Sequence, residues 1–115
     1  LKRILWVSRH PVLPSQLNAL RKLFGEVSVD IFLQHLPYLS AEEIVNHIKA
    51  GGYDEVVVVA PLSVIAKLCE LGVKPLWAEM EQVPPELSET QVNGRFYRFK
   101  RFRRIKEIKI EYEDF

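Results

Sequence analysis

The sequence predicts an α/β fold: a doubly wound parallel sheet in the strand order 2-1-3-4, extended by a β-rich C-terminal tail. Three observations predict it. Glu55 to Ala60 holds four consecutive valines, apolar on both phases, as in a strand covered by helices on both faces. Strand-like and helix-like patterns alternate three times before residue 75, which implies βα units with right-handed crossovers. After Asn93-Gly94 the periodicity turns to that of a strand, and the charge turns basic.

Each element has its own local reason. The first strand spans about Arg3 to Ser8, an apolar run from Ile4 to Val7 ending in Ser8, Arg9 and His10. A helix follows over about Ser15 to Phe24, with Leu17, Leu20, Leu23 and Phe24 on one face and Gly25 as its stop. Val27, Val29, Ile31 and Leu33 alternate as a second strand. Ser40 and Glu43 form a capping box that opens a helix to about Ala50, ended by Gly51-Gly52. Glu55 to Ala60 is the third strand, broken by Pro61; a helix runs from about Leu62 to Leu71, stopped by Gly72. Pro75 to Met80 is the fourth strand.

Residues 1–80 thus form the core of a single domain, 81–94 a linker and turn carrying Pro84-Pro85, and 95–115 a basic β tail. Asn93-Gly94 is a hairpin signal. Phe96, Phe99, Phe102 and Ile105 recur every third residue, which fits neither a clean strand nor a clean helix and predicts a bulge or bend. Ile108, Ile110 and Tyr112 alternate as a further strand, and the tail either adds antiparallel strands to the sheet edge or reaches out to a partner subunit.

Composition excludes several classes. Apolar residues are 48% and charged residues 27% of 115, a globular balance rather than a disordered one. The single Cys69 forms no internal disulfide, and its helical neighbours Ile65 and Leu68 make it a small core residue. No apolar run approaches a membrane span and no segment reads as a signal peptide, so the expected location is the cytoplasm. Net charge is +1, but unevenly spread: residues 1–94 carry 8 Lys and Arg against 11 Asp and Glu, and residues 95–115 carry 8 against 4. The basic side chains include Arg95, Arg98, Lys100, Arg101, Arg103 and Arg104. They read either as a nucleic-acid contact or as the solvated, aggregation-resistant face of an edge strand.

In a 2-1-3-4 sheet the ligand crevice lies beyond the carboxyl ends of the first and third strands. One loop brings Ser8, Arg9 and His10, a hydroxyl, a planar guanidinium fork and a group titrating near neutrality. The other brings Pro61, Leu62 and Ser63, where a helix start offers free amides to phosphate. Glu79, near the end of the fourth strand, and His35, after the second, reach the same rim. The structural alternatives are plain: Ser8 capping its own loop, Arg9 paired with Glu79, His10 an ordinary loop residue, and His35 and His47 in structural or solvent-facing places. Trp6 is expected against a helix. Walker, dinucleotide, hydrolase-elbow and zinc patterns are all missing, so no metal or cofactor is expected.

Val7-Ser8-Arg9-His10-Pro11 after a short strand resembles the opening of the small CRISPR-associated ring nucleases, Rossmann-like proteins related to domains that sense cyclic oligoadenylate. Pro61-Leu62 followed by Ala66, Cys69 and Gly72 is similar to a second block of that family, and Pro85-Glu86-Leu87 with Ser88-Glu89 partly matches a third. The Arg-Gly pair expected after that Leu is missing. The tail is closer to small uncharacterised prokaryotic and phage proteins that share the Ser-Arg-His start. The resemblance implies a homodimer in antiviral defence that cleaves cyclic oligoadenylate without metal, each phosphodiester being attacked by its own ribose 2′-hydroxyl. It implies that Arg9 holds the scissile phosphate, His10 donates or accepts a proton, Ser8 orients ribose or phosphate, and the amides near Leu62 and Ser63 cradle a neighbouring phosphate. Two other readings stand beside it: a non-catalytic module for a nucleotide, phosphorylated ligand or RNA, and a structural dimer padded by the aromatic tail.

Overall fold

Val56, Val57 and Val58 are each buried, because helices cover the strand that carries them on both sides. The computed structural model describes residues 1–32 and 40–115; the predicted end of the second strand at Leu33, and His35, lie outside the described residues. The elements are β1 (Lys2–Val7), α1 (Pro14–Phe24), β2 (Val27–Ile31), α2 (Ala41–Gly51), β3 (Glu55–Val58), α3 (Leu62–Glu70), β4 (Leu76–Gln82), a 3-10 turn (Pro85–Leu87), β5 (Thr90–Val92) and β6 (Arg95–Arg104). They form an α/β structure with one mixed sheet, ordered β2-β1-β3-β4-β6-β5.

This order differs from the four-stranded parallel sheet expected of the sequence. β2, β1, β3 and β4 run parallel, but β6 pairs antiparallel with β4 and β5 antiparallel with β6. The physical reason is that β4 has a free edge and the Asn93-Gly94 hairpin brings a strand of matching pattern back to it. The segment read as a linker is correspondingly shorter: Glu81 and Gln82 complete β4, and Thr90–Val92 is already in the sheet.

Strand alternation sorts the core into two layers. Leu5, Val7, Val56 and Val58 meet Ala41, Ile44 and Val45 of α2 and Leu68 of α3. Ile4, Trp6, Val57 and Leu76 meet Leu20 of α1 on the opposite face. Trp6 therefore packs against a helix, as its place in the strand predicts, and its ring also meets Phe102 edge-on at 6.3 Å. Asn93 (φ 52°) and Gly94 (φ 76°) both take the left-handed conformation that a tight two-residue hairpin demands.

The recurrence of phenylalanine every third residue is resolved by a bulge. Glu79 pairs with Arg101 and Met80 with Phe99, so Lys100 is the extra residue. The insertion puts Phe99 and Phe102 on one face, their rings 4.8 Å apart. Beyond Arg104 the predicted alternating strand does not form: residues 105–115 have no regular structure, and Ile110, Tyr112 and Phe115 are exposed. Ile105 N–H donates to the Pro75 carbonyl at 2.9 Å, and β4 has no edge left for a second tail strand.

At the amino end of the sheet Arg3 joins three elements. It donates to Asp30 (3.1 Å) and to the Gly51 carbonyl, and lies 4.6 Å over the Tyr53 ring. The Tyr53 hydroxyl donates to Asp30 at 2.7 Å. That bond, followed by the one from Arg3, holds the Asp30 carboxyl below the ordinary aspartate range and in turn pushes the Tyr53 hydroxyl up. His47 is half-buried, stacked on Phe32 at 4.0 Å and parallel to Tyr53 at 6.0 Å, a structural place. Half-buried Cys69 has its thiol 4.0 Å from the Ile105 carbonyl.

Candidate functional site

Where β1 ends, the chain is folded back by its own side chains. The buried Ser8 hydroxyl accepts the His10 N–H at 3.1 Å, and the Trp6 indole N–H donates to the His10 carbonyl at 3.0 Å. The local alternative for Ser8, a loop cap, is thus realised, and the hydroxyl keeps its own proton for a further bond. The turn leaves Arg9 and His10 exposed on the carboxyl edge of the sheet.

Beside this turn lies a groove of about 240 Å³. Ser8, His10 and Pro11 form one rim. Trp6 and Val59 line the floor, and Leu13 and Gln16 enter from the start of α1. The far wall is Ala78 and Met80 of β4 with Thr90, Val92 and Tyr97 of the hairpin. Parity explains the far wall: Leu76 is in the α1-side core, so Ala78 and Met80 share its face. The walls are mostly apolar, and among the described residues His10 is the only imidazole that lines them.

Gln16 is buried although polar. Its side-chain oxygen accepts the Leu13 N–H at 2.9 Å, satisfying a free amide at the start of α1, and its amide nitrogen faces the Met80 sulfur at 3.6 Å. Glu89 latches the same corner: one oxygen takes the Ser15 hydroxyl and the other accepts the Phe99 N–H at 2.8 Å.

The remaining sequence candidates are not among the groove walls. Pro61, Leu62 and Ser63 are exposed at the start of α3, a helix that packs Leu68 into the opposite layer. Glu79 has the opposite parity to Ala78 and Met80 and turns to the other sheet face. There it meets Arg101 at 2.9 Å and Arg103 at 3.8 Å, so its partners are tail arginines. Arg98 donates to Glu81 at 2.5 Å and holds that carboxyl below the ordinary glutamate range. Arg104 reaches Glu55 at 2.6 Å, and the carboxylate pushes its guanidinium pKa up. Much of the basic tail is therefore ion-paired within the sheet.

Sequence reasoning found Ser8 and His10 but missed Gln16, Met80, Val92 and Tyr97. The parity of β4 and the Asn-Gly turn together carried that signal. Among the described residues no cluster of His, Cys, Asp and Glu could hold a metal ion, and no helix is long and apolar enough to cross a membrane. No protein-family model, no curated protein and no solved structure matches this chain.

Proposed function

We propose that this protein is a cytoplasmic, Rossmann-like nucleotide-binding protein acting as a metal-independent ring nuclease on cyclic oligoadenylate, within CRISPR antiviral defence. The observation that carries the reading is the polarity of the groove. Its interior is apolar, while Arg9 and His10 stand at or beside the rim. Burying an unpaired charge is costly, so a neutral ring belongs inside and a phosphate outside. At about 240 Å³ the groove lies below the ~300–1,000 Å³ of sites that enclose a drug-sized molecule. It suits one base of a larger ligand, and a symmetric cyclic oligonucleotide would then span the grooves of a homodimer.

In this scheme the ribose 2′-hydroxyl attacks its own phosphorus. The bond from phosphorus to the 5′-oxygen breaks, leaving a 2′,3′-cyclic phosphate and a 5′-hydroxyl. Arg9 holds the phosphate, and His10 takes the proton from the 2′-oxygen or supplies one to the 5′-oxygen. Ser8 fixes the turn and donates its remaining proton to ribose or phosphate. The exposed start of α3 at Leu62 and Ser63 offers amides to an adjacent phosphate. Alignment does most of the work, as suits a site with few ionisable groups.

The test is incubation with cyclic tetra- and hexa-adenylate in EDTA, followed by chromatography. Linear products ending in a cyclic phosphate are expected, and they should disappear in Arg9→Ala and His10→Ala. Binding without turnover would instead identify a non-catalytic nucleotide module. The Ser8 hydroxyl, already holding its own turn as an acceptor, favours that second reading. An RNA contact through Arg98, Lys100, Arg101, Arg103 and Arg104 is less favoured, since Arg98, Arg101, Arg103 and Arg104 have carboxylate partners.

A further inference from the structure

We infer that Gln16 selects the base that enters the groove, and that it selects for an unprotonated ring nitrogen, as in adenine. This rests on the reading of the groove as a nucleotide site, and it names the group that reads the base.

The orientation of the Gln16 amide is fixed by chemistry. The Leu13 N–H can only donate, so the atom facing it at 2.9 Å is the side-chain oxygen. The amide nitrogen must then face the other way, and it does so at the Met80 sulfur, 3.6 Å off, on the far wall of the groove. Gln16 consequently turns its N–H, rather than its oxygen, toward the Met80 wall of the groove. The residue is 5% exposed, so this donor is screened from bulk water. A thioether is a weak acceptor. A ligand acceptor that replaced it would gain a full hydrogen bond in a site of low polarity.

The surroundings restrict what can bring that acceptor. Trp6, Met80, Val92 and Tyr97 present apolar or aromatic surface, which favours a flat ring over a flexible polar chain. An anionic acceptor would find no Lys or Arg among the described residues of the walls. A neutral heteroaromatic nitrogen satisfies both conditions. Adenine carries three such nitrogens, N1, N3 and N7. A ring whose facing nitrogen is protonated would set donor against donor and be rejected.

One substitution separates recognition from folding. Gln16→Glu keeps an oxygen for the Leu13 N–H, and a carboxylate is favourable in the first turn of a helix. It removes the N–H. Uncharged adenosine is the probe, so the new charge repels no phosphate. Binding is measured by calorimetry for adenosine and its 1-deaza, 3-deaza and 7-deaza analogues, with circular dichroism and thermal melting as folding controls. Wild-type protein should bind adenosine, and one deaza analogue should bind on the order of tenfold more weakly. Gln16→Glu should keep the wild-type circular dichroism but melt at a lower temperature, since its second oxygen sets a charge beside the Met80 sulfur in a buried place. It should lose a similar factor for adenosine, and lose nothing further for that analogue. Equal affinity of Gln16→Glu and wild type for adenosine, or equal affinity of wild type for all three analogues, overturns the inference. If adenosine behaves as expected while cyclic oligoadenylate stays intact, the inference stands and the nuclease reading falls. If cyclic oligoadenylate is cleaved equally by wild type and Gln16→Glu, the nuclease reading stands and the inference falls.

Discussion

The two halves of the sheet solve the burial problem differently. The parallel half, β1 and β3 above all, is covered by α1 on one face and by α2 and α3 on the other. Its strands are consequently apolar at successive positions. The antiparallel half, β4 with β6, is apolar on one face only. Ala78, Met80, Phe99 and Phe102 look toward the groove and α1, while Glu79 and Glu81 on the other face meet Arg98, Arg101 and Arg103. A strand covered on both sides has stability to give and little freedom to vary. A strand whose apolar face is covered only in part leaves some of that face open to a ligand. The groove sits where the two regimes meet, with its floor in the first and its far wall in the second.

The largest effect should come from the doubly covered half. Trp6→Ala removes a buried ring, its contact with Phe102 and its bond to the His10 carbonyl. It should cost about 3–5 kcal/mol in urea denaturation. Phe102→Ala, on a half-buried ring of the other region, should cost about 2 kcal/mol by the same measure. Equal losses at the two positions would break the comparison.

Glu79→Ala should cost less than about 1 kcal/mol, because its arginine partners are more than half exposed. Its visible consequence should be electrostatic. Wild-type affinity for single-stranded RNA should vary little with salt, and the variant, with two arginines released, should show a steeper dependence. A steep slope already present in wild type would revive the tail as a nucleic-acid surface.

The smallest effect concerns acid. Asp30 in the parallel half and Glu81 in the antiparallel half both have pKa values lowered by folding, Asp30 mainly by Tyr53 and then Arg3, Glu81 mainly by Arg98. A depressed carboxyl contributes stability that is present above its unfolded value, about pH 4, and disappears as pH falls through the folded value. Melting temperature followed from pH 6 down to pH 2 should decline at the acid end. Asp30→Asn and Glu81→Gln should each flatten that limb, and whichever flattens it more identifies the half that dominates acid sensitivity.

Legibility in the sequence follows the same division. The valines of β3, the helix stops at Gly25 and Gly52, and the hairpin at Asn93-Gly94 are local facts, and local patterns reveal them. The irregular spacing of Phe96, Phe99 and Phe102 even announced the bulge. That the tail could add antiparallel strands to the sheet edge was legible, but which edge it takes and in what register were not, because pairing between distant segments leaves no local mark. The docking of β6 against β4 builds the far wall, so Met80 and Tyr97 escaped notice while Ser8 and His10 did not. Glu79 was misplaced for a simpler reason: one step along a strand reverses the direction of a side chain. Ile108, Ile110 and Tyr112 carry a genuine strand pattern, but the edge such a strand would need is already taken by β6.

Lys100 is the surplus residue between two stretches of β6 that would otherwise run in one register. Without it Glu79–Arg101 and Met80–Phe99 would follow each other in an unbroken ladder, with every side chain left on its present face. What Lys100 supplies is therefore curvature: a local bend and added twist where the strand passes from the core to the groove. A one-codon deletion of Lys100 should leave a folded protein with a flatter edge, whereas a one-residue insertion elsewhere in the strand would turn its rings outward.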